Sequence, residues 1–154
     1  MIKKYKGALS GKKGFTLIEL LVVIAIIGLL STLATVSLNS ARSKARDGKR
    51  LAEMKSMQTA LEMYYNDHKG YPGGSGALLG NTNLRCLDDD GFKDSGCVPT
   101  IYIQSINDDP LSGRDYSYNS AASSTYVIYF QLENFNAELN GKNCTFSNTS
   151  TVCN

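Results

Sequence analysis

The sequence offers little to catalysis. His68 is the one histidine among 154 residues. It falls at the end of a predicted helix, where its ordinary role is a C-terminal cap favoured by the helix dipole. No glycine-rich phosphate loop and no histidine-rich cluster occurs, so nucleotide chemistry and a histidine-built metal centre lack their usual residues. There are four cysteines, Cys86, Cys97, Cys144 and Cys153, but not the close Cys-x-x-Cys pairs of structural zinc sites. Asp88-Asp89-Asp90-Gly91 invites a calcium reading. Setting Gly91 on the invariant glycine of an EF-hand loop puts Cys86 at its first position and Cys97 at its last, which excludes that motif. The chain is read as a non-enzyme.

Charge is missing in two places. Residues 1–13 contain no acid and five lysines, Lys3, Lys4, Lys6, Lys12 and Lys13, so the formal net charge of +2 turns negative once they are set aside. Residues 20–38 contain no charge at all. About 20 apolar residues in helical form cross the hydrocarbon core of a bilayer. The basic segment has no apolar core of its own, and the run that follows is too long for an ordinary secretory signal. Thr32-Leu33-Ala34 could pass as a signal-peptidase site and ranks below the junction described next. Glu19 stands just inside the apolar run, where a carboxylate is expensive and needs a partner. The bland account is a side chain reaching back to the headgroups.

The order Gly14-Phe15-Thr16-Leu17-Ile18-Glu19 after a short basic leader resembles the processing site of type IV pilins and of the pseudopilins of type II secretion. The resemblance implies that a prepilin peptidase cuts between Gly14 and Phe15 and that Phe15 is then N-methylated. It also implies that the Glu19 carboxylate meets the α-amine of a neighbouring subunit. Cleavage would leave that amine about one helical turn, roughly 6 Å, from the level of Glu19. Two helices staggered by a turn would neutralise both charges, and breaking one side of a buried pair costs about 3–5 kcal/mol, enough to select register. Many type IV pilins carry a proline where this chain has Val36, which implies less kinking of the first helix here.

No helix breaker occurs from residue 38 to residue 67, and Gly48 is the one weak point, at about 1 kcal/mol against alanine. Met54, Met57, Leu61 and Tyr64 recur at helical spacing and predict a face against a core. His68-Lys69-Gly70-Tyr71-Pro72 ends the rod, with glycine and proline as cap and stop. Residues 73–98, rich in Gly, Asn and Asp, read as a connecting loop. Strand patterns follow at 100–105, 115–119 and 125–132, where Tyr126, Ile128, Phe130 and Leu132 alternate with Val127, Tyr129 and Gln131. The order Asp109-Pro110, Tyr116 to Tyr118, Tyr126 to Leu132 resembles the sheet of the major pseudopilin. Residues 134–154 read as a polar tail. The basic stem of Arg42, Lys44, Arg46, Lys49, Arg50 and Lys55 and the acidic residues beyond it read as solvated faces, with stem-to-head attraction between neighbouring subunits as the functional version.

The expected fold is α+β, a pilin fold in which a long N-terminal helix, transmembrane in its first half, packs on a small antiparallel sheet. Its parts are a leader (1–14), a membrane or filament-core helix (15–38), a helix continuing into the head (39–70) and a β-rich head with cysteine-containing loops (71–154). Four cysteines allow three pairings. The expectation is Cys86 with Cys97 and Cys144 with Cys153, each closing a short loop in an oxidising exterior. Both flanks of the apolar run are basic, so the positive-inside rule leaves orientation open. The resemblance places the head outside an inner membrane and the filament in the periplasm or at the cell surface. The partners it implies are further copies and other pilin-like subunits, the prepilin peptidase, and an inner-membrane assembly platform with its ATPase. No cofactor is expected, although some major pseudopilins bind calcium in a head loop. Secretion pseudopilin and true pilus subunit for adhesion, motility or DNA uptake both stay open. A third reading is a single-pass binding protein that never polymerises, its basic stem on anionic lipid or DNA.

Overall fold

The computed structural model describes residues 14–80, 83–136, 138–139 and 141–154. The expected leader lies outside the described residues, apart from Gly14. The chain divides into two units, Met1–Ser40 and Ala41–Asn154.

Helix α1 (Leu17–His68) begins in the first unit. Thr16 is its N-cap, and Leu to Val side chains populate every face of it up to Leu38. The large apolar residues along this stretch are exposed, from Leu17 at 80% to Val22 at 49%. Three of the hydroxyls among them are satisfied inside the helix. Ser31 Oγ donates to the Ile27 carbonyl at 2.7 Å, Thr32 Oγ1 to Leu29 at 2.8 Å and Thr35 Oγ1 to Ser31 at 2.8 Å. Polar groups bonded within the helix suit an apolar solvent, which offers them no partner. Residues 17–40 rise about 36 Å at 1.5 Å each, against a hydrocarbon core of about 30 Å.

In the second unit α1 becomes amphipathic, and Met54, Met57, Ala60, Leu61 and Tyr64 are buried at helical spacing. They pack on an antiparallel five-stranded sheet of order β1-β5-β6-β7-β8. Its strands are β1 (Gly74–Leu79), β5 (Tyr116–Ala122), β6 (Thr125–Asn136), β7 (Gly141–Ser147) and β8 (Thr151–Cys153). Between β1 and β5 lie β2 (Cys86–Asp88), β3 (Gly91–Lys93) and β4 (Ile101–Ile103), which form a second sheet of order β3-β2-β4. The β5–β6 hairpin sets Tyr118 opposite Ile128. Tyr116 and Tyr118 point into the core together with Tyr126, Ile128, Phe130 and Leu132, because a period of two puts alternate side chains on one face. Tyr71 meets Tyr126 edge-on at 4.7 Å, as Phe92 meets Tyr118 at 4.8 Å, the geometry that aromatic quadrupoles favour. The α+β class and the helix-on-sheet arrangement are those expected.

Three local expectations are corrected. Residues 73–98 hold β1, β2 and β3 rather than one loop. In β1 the ladder on β5 supplies hydrogen bonds that Gly-Ser-Gly propensity does not suggest. The β2–β3 hairpin is made by turn chemistry, with Asp88 opposite Gly91 at φ 110°. The polar tail contributes β7 and β8, with Cys144, Phe146 and Cys153 buried and the polar residues turned outward, so three of the four cysteines sit on strands. Lys69, at φ 57°, takes the left-handed position after α1, and its N–H bonds the Tyr65 carbonyl at 2.8 Å. Gly70 is small for another reason: a β-carbon there would lie 3.0 Å from that of Ser123.

Candidate functional site

The N-terminal junction is built by the start of α1. Gly14 and Phe15 lie in exposed irregular backbone just before the helix, with Phe15 at 90% exposure, so the peptide bond between them is open to an enzyme. The helix starts at Leu17, which makes Thr16 the N-cap and Glu19 the third helical residue. Glu19 Oε2 accepts the Thr16 N–H and the Thr16 hydroxyl, each at 2.7 Å, and Thr16 Oγ1 accepts the Glu19 N–H at 3.3 Å. This is a capping box, two backbone donors of the first turn satisfied reciprocally. Both bonds to Glu19 land on Oε2, so the acceptor capacity of Oε1 is unspent among the described residues. Sequence reasoning passed over Thr16. Its signal was the Thr-x-x-Glu spacing directly ahead of an apolar run.

The second unit contains a charged cluster that the reading of the basic stem as a solvated face did not anticipate. Arg50 is fully buried. Its Nε and Nη2 donate to the two Asp109 oxygens at 2.6 Å, and its Nη1 donates to Asp47 at 2.7 Å and to Glu133 at 2.9 Å. Arg46 grips Glu133 through two further bonds of 2.6 Å. Asp47 also accepts the N–H groups of Glu133 and Asn134 at 2.8 and 2.9 Å. Hydrogen bonds from Arg46, with Arg50 behind them, outweigh burial and hold the Glu133 carboxyl at about 2. Burial pushes Asp47 upward, but the two amides, the Asn134 side chain and Arg50 together bring it below the usual range. The stem-to-head attraction therefore exists within one subunit, tying the helix to the loop at Asp109 and to the end of β6. Stepping the Met54 stripe back by four reaches Arg50, so the helical period could have revealed it.

The cysteines are bonded in two pairs, Cys86 to Cys97 and Cys144 to Cys153. The second pair joins directly opposed residues of β7 and β8. His68 keeps its place at the helix end, with Nδ1 3.1 Å from the Tyr64 carbonyl and its ring stacked on Tyr64 at 4.1 Å. The junction residues and the cysteines belong to different units. Among the described residues no group of three or more His, Cys, Asp or Glu side chains is arranged to hold a metal ion.

Comparison with known proteins turns this geometry into a family. Residues 9–35 match the family model described as the prokaryotic N-terminal methylation motif. The chain is 32% identical over 123 residues to type II secretion system core protein G of Aeromonas hydrophila, covering 79% of this chain and 82% of that protein. The same protein from Vibrio cholerae is 30% identical over 122 residues, 77% and 78% of the two chains. The type IV wide pilus major component PilA4 of Thermus thermophilus is 42% identical over 67 residues, 44% of this chain and 51% of that one. No solved structure matches. With a methylation motif at the start of its apolar helix and relatives aligned along most of its length, the chain belongs to the family of type IV pilins and type II secretion pseudopilins.

Proposed function

We propose that this chain is the precursor of a subunit that polymerises into a type II secretion pseudopilus. The carrying observation is the junction itself, an exposed Gly14-Phe15 bond followed at once by a capped helix whose apolar side chains from Leu17 to Leu38 are exposed. A prepilin peptidase removes residues 1–14 on the cytoplasmic side and methylates Phe15. Residues 15–38 hold the subunit in the inner membrane and later form the filament core. Residues 39–70 carry the helix into the head, and residues 71–154 complete that head outside the membrane. An assembly platform and its ATPase drive the stacking.

The capping box gives Glu19 its part in assembly. The Thr16 N–H belongs to the Phe15–Thr16 peptide bond, so the box survives cleavage. The new ammonium at Phe15 then lies at the positive end of its own helix dipole, where a cation is disfavoured. Glu19 of the same chain is already engaged by Thr16, which leaves Oε1 to the amine of a neighbouring copy one turn away. The apolar faces of the two helices are then covered by each other.

The match to the wide-pilus component of Thermus thermophilus supports a second reading, a subunit of a surface pilus. Both readings predict the same test. Membrane-purified protein co-expressed with a prepilin peptidase should have the intact mass of a chain starting at N-methylated Phe15. Glu19→Ala should be processed and membrane-bound but yield no filaments. Normal assembly of that variant would sink the polymer reading and favour a monomeric anchored binding protein. A chain starting after Ala34 would sink the prepilin reading altogether.

A further inference from the structure

The resemblance to major pseudopilins raises calcium as a ligand of a head loop, and two acidic sites of this head, at Asp88 and Asp90 and at Asp109, already hold cations of the chain itself. In the β2–β3 hairpin the Asp88 side chain is fully buried. Its Oδ1 accepts the Asp90 N–H at 3.0 Å, its Oδ2 accepts the Val98 N–H at 2.8 Å, and that same Oδ2 lies 3.1 Å from Lys93 Nζ. Lys93 Nζ also donates to Asp90 Oδ2 at 2.7 Å. The lysine is held there by β3, where it stands opposite Cys86 and its carbonyl accepts the Arg85 N–H at 2.8 Å. Asp89, the remaining acid of the turn, faces His68 Nε2 at 3.3 Å. In the loop before β5, both Asp109 oxygens are taken by Arg50, and one of them also accepts the Leu111 N–H at 2.8 Å.

A calcium ion needs about 6–8 oxygen ligands at roughly 2.3–2.6 Å. Here the space between Asp88 and Asp90 contains an ammonium, and the Asp88 oxygens are further committed to two backbone amides. A divalent ion on the same pair would meet the lysine charge at contact distance, where like charges repel strongly. We infer that Lys93 is the resident cation of the Cys86–Cys97 loop and Arg50 that of the Asp109 loop, so that this head keeps its fold without calcium. The disulfide and the lysine together do for the loop what a metal clip does, closing it at two points while neutralising its buried carboxylate.

The test is thermal unfolding of the full-length protein in detergent micelles, with EDTA or with about 1 mM calcium, the concentration range of extracellular calcium modules. The wild-type melting temperature should be the same in both. Lys93→Gln should lower it by roughly 5 °C in EDTA, and calcium should recover part of that loss, because removal of the ammonium opens the seat. Lys93→Arg should stay near the wild type. A wild type that melts higher in calcium than in EDTA would overturn the inference. So would a Lys93→Gln variant as stable as the wild type, or one that calcium leaves unmoved. The readout concerns the folded head and is separate from filament formation, so its failure and that of the polymer reading are distinguishable.

Discussion

In the first unit large apolar side chains stand outside, with Leu17 at 80% exposure and Leu30 at 59%, whereas the second unit seals a guanidinium, Arg50, at zero. The usual preference for apolar residues inside and charges outside is inverted in both. The first is incomplete by itself: about 25 cal/mol per Å² of exposed apolar surface drives it into lipid or against another helix. The second is complete by itself, because the buried charge has three carboxylates around it, and these are held further by backbone amides at Asp47 and Asp109 and by Arg46 at Glu133. One unit is thus built to be finished by something outside the chain, the other to be indifferent to it. Changes to the buried network of the second should lower its melting temperature and leave membrane partition alone, and Glu19→Ala should leave both alone and abolish filaments.

The sharpest way to break that contrast is Arg50→Ala. It leaves Asp109, Asp47 and Glu133 together without the cation that their geometry assumes. Removing one side of a buried ion network costs about 3–5 kcal/mol, a large share of the stability of a domain this size. Chemical denaturation of the full chain in micelles should show that loss while the protein still fractionates with membranes. A loss under about 1 kcal/mol would mean that the cluster is solvated in practice, and the contrast between the units would fail.

Next in size is the β7–β8 staple. Cys144 and Cys153 are separated by 9 residues in sequence, and a loop of that length restrains the unfolded chain by about 2–3 kcal/mol. The double variant Cys144→Ser, Cys153→Ser should lose that much, and reductant should then cost it only what the Cys86–Cys97 bridge contributes. If the double variant melts like the wild type, β8 owes its place to the sheet alone.

How much of this was legible in the sequence follows from the range of each signal. The apolar run, the Met54 to Tyr64 stripe and the Tyr116 to Leu132 hairpin are periodic over many residues and were read correctly. The helix stops where the sequence predicts, with the left-handed residue at Lys69 rather than at a glycine. Strands β7 and β8 were missed because their composition is polar and their pairing is set by a neighbour, β6, and by a disulfide. The burial of Arg50 is within reach of the helical period, and Asp47 lies three residues before it, but its partners Asp109 and Glu133, 59 and 83 positions away in sequence, are beyond any local pattern. Thr16 was missed although its signal is local, since the Glu19 charge drew the reading outward to a neighbouring subunit and not back three residues.

Acid sharpens the comparison more gently. The Glu133 carboxyl is lowered from 4.5 to about 2, with Arg46 the largest cause. A group depressed in the folded state adds stability above its unfolded value and loses it as pH falls through the folded one. Asp47 and Asp88 are shifted in the same direction. The melting temperature of the second unit should therefore start to fall below about pH 4.5 and keep falling towards pH 2. Arg46→Gln lets the Glu133 value rise, so that variant should be less stable at neutral pH and lose less on acidification. Parallel pH profiles for the two proteins would assign the acid loss to groups other than Glu133.

The smallest effect concerns Gly48, which lies on an exposed part of α1 within the second unit. A helical glycine costs about 1 kcal/mol against alanine, and something usually demands it. Among the described residues nothing does: its backbone is helical, and a β-carbon would have no atom of theirs within 4 Å. Gly48→Ala should therefore stabilise the monomeric protein by about 0.5–1 kcal/mol, read as a rise in denaturant midpoint at constant slope. Filament yield measured on the same variant tells the two units' logic apart. If yield is unchanged, the second unit is self-contained at this face as well. If yield falls while stability rises, the glycine is kept for a close approach by another subunit, and the head shares the first unit's need for a neighbour.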